Sequence, residues 1–220
     1  MTRVRVHNFT ISLDGFGTGE GPSFEAPFGH AGMRLHQWMF ATRFGRQMFG
    51  NEGGSTGVDH AFAHQHEVGF GAEIMGRGKW SPVSGPVTDV GAEDEWRGWW
   101  GPNPTFHTPV FVLTHHPRPS IELEGGNVFH FIDCDLETAL AKASEAAGGL
   151  DVRIGGGVTV VRDFLGAGLV DHAHIVVVPI VLGRGERLWD GLEGLDALYD
   201  VESVASPSGV THLTLTRRPR

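Results

Sequence analysis

Val152-Arg153-Ile154-Gly155-Gly156-Gly157-Val158-Thr159-Val160-Val161-Arg162-Asp163-Phe164-Leu165 is the stretch on which the reading of this chain turns. Val152 and Ile154 make a strand, three glycines make a turn, and residues 158–165 read as a helix. A glycine-lined turn at a strand's C-terminal end exposes backbone N–H groups and lets a ligand approach the chain closely. The helix behind it presents the positive end of its dipole, so the unit favours a phosphate. The turn is neither G-x-G-x-x-G nor a P-loop lysine motif, and a glycine-rich connection of this kind serves equally well as a plain tight turn. Its neighbours in the sequence decide between the two readings.

Two other strand ends have the same character. Ile74-Met75-Gly76-Arg77-Gly78-Lys79-Trp80 runs from a strand into a glycine turn that carries two positive charges. Leu113-Thr114-His115-His116-Pro117 places a hydroxyl and two imidazoles at the tip of a third strand. In an open α/β sheet, ligands collect beyond the carboxyl ends of the strands. Three such ends describe a dinucleotide site, with Arg77, Lys79 and His115 gripping the 2′-phosphate of NADP through charge-assisted hydrogen bonds. Taken singly, each charge reads equally as a solvated strand end.

Around this centre the chain alternates strands and helices. Val4, Val6, Phe9, Ile11 and Leu13 form an apolar first strand that ends at Asp14-Gly15, and residues 15–22 read as flexible. Leu35, Trp38, Met39 and Phe40 predict a helix over 32–43, followed by a glycine-rich loop over 45–57 and a short helix over 59–68. Residues 81–109 have little periodicity and read as an ordered excursion over the surface. Strands follow at 110–113 and 128–132. A helix capped by Asp133 or Asp135 then buries Leu136, Ala139, Leu140 and Ala143 and stops at Gly148-Gly149. A strand over 174–180 and a hairpin near 197–203 and 211–216 complete the pattern. The expectation is one α/β domain over residues 1–220, a mixed sheet flanked by helices with an antiparallel C-terminal hairpin.

Composition narrows the function. The 220 residues carry a formal charge of −9, which argues against a general nucleic-acid or anionic-membrane binder. The one cysteine, Cys134, permits no intrachain disulfide and suits a reducing compartment. No apolar run approaches the ~20 residues needed to span a bilayer, and no signal core follows the N-terminus. A soluble, cytoplasmic protein is expected.

In order and spacing, Ile74-Met75-Gly76-Arg77, Val112-Leu113-Thr114 and Ile154-Gly155-Gly156-Gly157 resemble the dihydrofolate reductase superfamily. Ser12-Leu13-Asp14-Gly15, Gly168-Leu169-Val170-Asp171 and Val178-Pro179-Ile180-Val181-Leu182-Gly183-Arg184-Gly185 are similar, more closely, to the reductase domain of riboflavin biosynthesis. The resemblance runs over nearly the whole chain. It implies the dihydrofolate-reductase-like fold, NADPH as hydride donor, and pairing into a homodimer. It also implies cofactor contacts from Gly76, Arg77, Gly78, Lys79, Thr114, His115, Gly155, Gly156, Gly157, Val158 and Thr159.

The sequence also departs from both patterns. Folate reductases carry an acidic residue on the first helix; here that neighbourhood reads Met33-Arg34-Leu35-His36-Gln37-Trp38, which argues against folate. The riboflavin enzymes have a lysine early in the first strand and a glutamate opening the glycine turn. Here the strand reads His7-Asn8-Phe9-Thr10-Ile11-Ser12-Leu13 and the turn begins with Gly155, which argues against their pathway substrate. His7 and Cys134 cannot build a deaminase zinc site. For a proton donor the candidates are Asp14, otherwise a turn former, and His36, otherwise a satisfied histidine. Trp38, Phe40, Phe62, Trp96, Trp99 and Trp100 either wall a flat heteroaromatic substrate or fill the core, and 96–100 suits a pocket lid or a dimer contact. His60, His64, His66 and Glu67 lack the convergence that zinc requires, so no metal is expected. The leading expectation is an NADPH-dependent reductase of a small pterin- or pyrimidine-like molecule. A silent nucleotide-binding sensor and a flavin- or deazaflavin-using oxidoreductase are the alternatives.

Overall fold

The computed structural model describes residues 2–65, 68–82 and 95–219. Its strands are β1 (Val4–Ser12), β2 (Phe16–Thr18), β3 (Phe70–Gly76), β4 (Pro109–Leu113), β5 (Ile121–Glu122), β6 (Val128–Ile132), β7 (Asp151–Gly156), β8 (His172–Val178), β9 (Glu186–Arg187), β10 (Tyr199–Ala205) and β11 (Thr211–Arg217). Among the described residues, nine of them form one sheet in the order β10-β11-β8-β1-β7-β3-β4-β6-β5, while β2 and β9 pair separately. The stretch from β8 to β6 is parallel. The C-terminal hairpin β10–β11 adds antiparallel strands at one edge, and β5 adds one at the other. The expected mixed sheet with its late hairpin is therefore present. The two-residue strands β5 and β9 are too short to leave a periodic signal.

The helices are α1 (Gln37–Phe40), α2 (Arg43–Met48), α3 (Val58–His64), α4 (Arg77–Trp80), α5 (Leu136–Ala146) and α6 (Val158–Gly166). α5 begins at Asp135, whose side chain accepts the Thr138 N–H at 2.6 Å and so satisfies one of the orphan donors of the first turn. Ala139 and Ala143 of α5, with Val158, Val161, Phe164 and Leu165 of α6, are buried against Val6, Ile11, Ile74, Ile154 and Ile175 on one sheet face. This core holds the glycine turn between β7 and α6.

The single helix expected over 32–43 is instead three pieces: a 3₁₀ segment over Gly29–Leu35, then α1, then α2. Gly32, at φ 53° and ψ −147°, breaks the first piece. Thr42 is extended and its Oγ1 accepts the Gly45 N–H at 3.0 Å, so a new helix starts where a loop was expected. A Cβ at Gly45 would lie 2.2 Å from the Met39 carbonyl oxygen; only glycine lets α2 pack so closely on α1. Together these short helices cover the second sheet face, where Trp38, Met39, Phe44 and Ala63 meet Val176, Val178 and Val210.

That second face also carries polar groups inside the protein. The Asn8 N–H donates to Nδ1 of His174 at 3.3 Å, so the proton of the neutral ring sits on Nε2. Nε2 lies 3.0 Å from Nδ1 of His212, whose own Nε2 lies 2.8 Å from the Asp59 carboxylate. Phe62 stacks on both rings. The result is a directed hydrogen-bonded chain that fastens α3 to β8 and β11. No helix among the described residues is long and apolar enough to cross a membrane.

Candidate functional site

The sheet order makes β7, β3 and β4 consecutive and parallel. Their carboxyl ends therefore bring together the three turns singled out in the sequence: Gly155 to Gly157, Gly76 to Lys79, and Thr114 to His115. The first two touch. A Cβ at Gly76 would stand 2.9 Å from Val160 Cγ2 and 3.5 Å from the Gly157 nitrogen. The Gly156–Gly157 peptide is cis. Gly157 is the N-cap of α6, with no side chain capping it, so Val158 and Thr159 open the helix with N–H groups of the kind that receive anions.

The charged residues divide between two tasks. His115 is 94% exposed at the β4 tip, 3.2 Å from Asp133, and Thr114 accepts the His116 N–H at 3.0 Å. Arg77 is half-buried with its guanidinium 4.9 Å above the Trp80 ring. The Lys79 ammonium is engaged within the fold. Its Nζ turns under the glycine turn and donates to the Gly155 carbonyl and to Glu73 Oε1, both at 2.8 Å.

Glu73 was not anticipated from sequence. It lies in the middle of β3, 1% exposed, with Arg153 of β7 on its other oxygen: Nε donates to Oε2 at 2.7 Å and Nη2 closes a second bond. Burial pushes the Glu73 carboxyl up, but Arg153 and Lys79 outweigh it and hold the group ionised. Burial pushes the Lys79 ammonium down, against Glu73 and together with Arg153. A sequence signal did exist. One acid sits in the apolar run Ala72-Glu73-Ile74, and one base in Val152-Arg153-Ile154 of the adjacent strand; buried charges of that kind are almost always paired.

This trio bears on the departure at Gly155. A Cβ there would lie 2.0 Å from Glu73 Oε1 and 2.9 Å from Lys79 Nζ. The space a side chain at the head of the turn would fill is already occupied, and by a carboxylate.

The aromatic run 96–100, unreadable by periodicity, clamps α4. The Trp99 indole donates to the Lys79 carbonyl at 3.0 Å and the Trp96 indole to the Trp80 carbonyl at 2.9 Å. Trp100 stacks on Phe129. Trp38 and Phe62 belong to the second-face packing instead, Trp38 donating to Thr10 Oγ1 at 3.2 Å.

The two proton-donor candidates differ sharply. Asp14 accepts from Ser12 Oγ and from the Leu182 and Gly183 N–H groups. Its slight burial pushes the pKa up, but these bonds bring it down to about 2, so at neutral pH it is a carboxylate that anchors a loop and holds no proton to give. His36 lies between Phe28 and Phe40. Burial, then the Lys79 charge, lower its pKa to about 4, and among the described residues its Nδ1 has no hydrogen-bond partner. Of the histidines weighed for a metal, His60 Nδ1 accepts the Phe44 N–H at 3.3 Å and its ring meets His64 edge-on; His66 and Glu67 lie outside the described residues.

A mixed sheet that gathers two glycine turns and a Thr-His tip at three adjacent parallel strand ends, with helices on both faces, is a dihydrofolate-reductase-like architecture. The chain belongs to the RibD C-terminal domain family, whose model matches residues 4–212. Solved structures agree on the fold. A candidate riboflavin biosynthesis protein from Shewanella sp. PV-4 is 22% identical with TM-score 0.57, each chain covered completely. A pyrimidine reductase-like protein from Corynebacterium diphtheriae is 14% identical with TM-score 0.54, over 100% of this chain and 93% of the other. A diaminohydroxyphosphoribosylaminopyrimidine deaminase/5-amino-6-(5-phosphoribosylamino)uracil reductase from Thermotoga maritima is also 14% identical with TM-score 0.54; 99% of this chain covers 57% of it. A comparison with curated protein sequences finds no match.

Proposed function

We propose that the chain is an NADPH-dependent reductase of a small, pyrimidine-like heteroaromatic molecule. One observation carries this reading: the glycine turn at the head of α6 is packed against Gly76 at the end of the neighbouring strand, where a Cβ would stand 2.9 Å from Val160 Cγ2 and 3.5 Å from the Gly157 nitrogen. A backbone cradle of that kind fits a pyrophosphate. In this reading residues 155–159 and Gly76 to Gly78 hold the dinucleotide, with Lys79 bracing the turn from below, and Arg77, Thr114 and His115 face its 2′-phosphate. When bound, NADPH supplies a hydride. The family, and the pyrimidine reductases named among proteins of this fold, favour a pyrimidine-like ring over a pterin.

Quenching of tryptophan fluorescence on titration with NADPH and with NADH tests the cofactor. Arg77→Ala is expected to weaken NADPH about tenfold or more and to leave NADH nearly unchanged. If the wild-type protein binds neither nucleotide, the proposal falls. Oxidation of NADPH over a panel of pyrimidines separates an enzyme from a silent sensor. A homodimer is part of the same proposal: β10 is an edge strand that exposes Val201 and Val204, the kind of edge that pairing covers. Light scattering that reports a monomer removes it.

A further inference from the structure

Lys79 carries a proton that the fold does not use. An ammonium has three N–H donors. One goes to Glu73 Oε1 and one to the Gly155 carbonyl, both at 2.8 Å, and among the described residues no acceptor takes the third. The neutral amine has two N–H groups, one for each of these partners. Lys79 can therefore give up a proton and keep both bonds. Charge points the same way. Glu73 from β3 and Arg153 from β7 are the charged groups beside it, which sets one carboxylate against two cations. Arginine does not lose its proton. Loss of one proton from Lys79 leaves Glu73 and Arg153, 1% and 7% exposed, as a neutral pair, the state in which charges are tolerated inside a protein. Burial and Arg153 accordingly push the Lys79 ammonium down against the pull of Glu73.

The place of this proton matters as much as its freedom. Gly155 heads the glycine turn, and the lysine stem follows that turn: a Cβ at Gly156 would lie 3.6 Å from Lys79 Cδ. The side chain is 27% exposed, so within the trio it is the lysine that opens to the surface. Its backbone is held by Trp99, whose indole donates to the Lys79 carbonyl at 3.0 Å. The Trp100 and Phe106 rings stand 5.9 and 5.5 Å from Nζ. Neither donor candidate from the sequence competes. Asp14, at about 2, is ionised at neutral pH, and His36, at about 4, is a neutral ring.

Building on the reading of the chain as a nicotinamide-dependent reductase, we propose that Lys79 is the catalytic proton donor, held beside the glycine turn by Glu73 and Arg153 as positioning residues. Reduction of a polarised double bond between carbon and nitrogen or oxygen needs a hydride and a proton. The substrate carbon takes the hydride that bound NADPH supplies, and the π electrons move to the heteroatom. The heteroatom takes the third Lys79 proton, so that N–H breaks as the new heteroatom–H bond forms. Solvent then returns a proton to the amine.

The chain has two lysines, Lys79 and Lys142, and Lys142 is exposed. Trace acetylation of the whole protein across pH, read by peptide mass spectrometry, therefore titrates both amines in one sample. The midpoint for Lys79 is expected at least about one pH unit below that of Lys142, and NADP⁺ is expected to protect Lys79 alone. With the pyrimidine panel, kcat/KM for NADPH oxidation is expected to fall on the alkaline side at the Lys79 midpoint, because a general acid must be protonated. Lys79→Arg keeps a cation for Glu73 that cannot release its proton, and is expected to lose about 100-fold in kcat, far more than in NADPH affinity. Lys79→Gln keeps a neutral donor; it serves if the arginine variant melts early, and is expected to lose as much. A Lys79 midpoint at or above that of Lys142 overturns the assignment, and so does a lysine variant that turns over at the wild-type rate. NADP⁺ that binds without protecting Lys79 overturns it too and leaves the cofactor reading intact. Failure to bind the nucleotide, or to oxidise NADPH with any member of the panel, removes the reductase reading and this inference with it.

Discussion

Acid should loosen this protein well before its carboxylates titrate, because two histidines are kept neutral inside the sheet. Burial, more than anything else, brings His7 down to about 4 from an ordinary 6.5; the bond from its ring to the Phe62 carbonyl opposes this, and Arg5, His172 and Arg153 add to it. Burial likewise brings His174 down to about 2, with His7, His212 and His172 adding to the effect. Both folded-state values lie below the unfolded one. The unfolded chain therefore binds more protons than the native chain as pH falls below 6.5, and the native state loses stability across that window. Each unit of pH below the unfolded value removes about 1.4 kcal/mol per group until the folded value is reached. Between about pH 7 and pH 5 each histidine contributes a loss of roughly 2 kcal/mol, or about 4 kcal/mol for the pair. Asp59, which accepts from His212, is displaced downward by its hydrogen bonds against the effect of burial, so its stabilisation is lost only at more acid pH. Urea unfolding followed by far-UV circular dichroism over this range measures the slope. His7→Gln keeps an amide donor for the Phe62 carbonyl, 3.0 Å from Nε2 in the wild type, and removes the titrating ring, so the loss should fall to about half. A wild-type stability that is flat from pH 7 to 5, or a variant with the full slope, would refute the account of these rings as buried and neutral.

Gly155→Ala places a methyl group 2.0 Å from a buried carboxylate oxygen, and the Glu73–Arg153–Lys79 trio must shift; a stability loss of roughly 3 kcal/mol is expected in denaturant unfolding. An unchanged midpoint would mean that Glu73 does not occupy this space. Asp14→Ala removes three accepted hydrogen bonds, two of them from the Leu182 and Gly183 amides; hydrogen exchange at those two amides should accelerate while nucleotide titration stays unaltered. Loss of nucleotide binding instead would place Asp14 in the cofactor site.

Much of the architecture was legible because it rests on local rules. The strand–glycine–helix unit, the Asp135 cap, β6 and the C-terminal hairpin all carry period or cap signals that survive folding unchanged. The helix expected over 32–43 is discontinuous because its apolar spacing is real while its backbone is interrupted by Gly32 and restarted by the Thr42 cap; periodicity reports which face is buried, not whether the helix is continuous. The indole clamps of Trp96 and Trp99 were invisible for a different reason. They depend on donors meeting carbonyls of a segment far back in the chain, and no local pattern encodes such a meeting.

The same limit explains Glu73, and with it the meaning of Gly155. Read as a string, position 155 lacks the glutamate that the riboflavin reductases place at the head of the turn. In three dimensions a carboxylate does stand beside the turn, projected from the neighbouring strand and bonded to a lysine that also grips the turn's first carbonyl. Glycine at 155 and glutamate at 73 are therefore not independent choices. A side chain at the first would collide with the second, and without a carboxylate from either, the Arg153 and Lys79 charges would face each other with no anion between them, which a fold tolerates poorly. The departure is a displacement of charge by one strand: the carboxylate that braces Lys79 and Arg153 comes from β3, and the head of the turn is left as bare backbone.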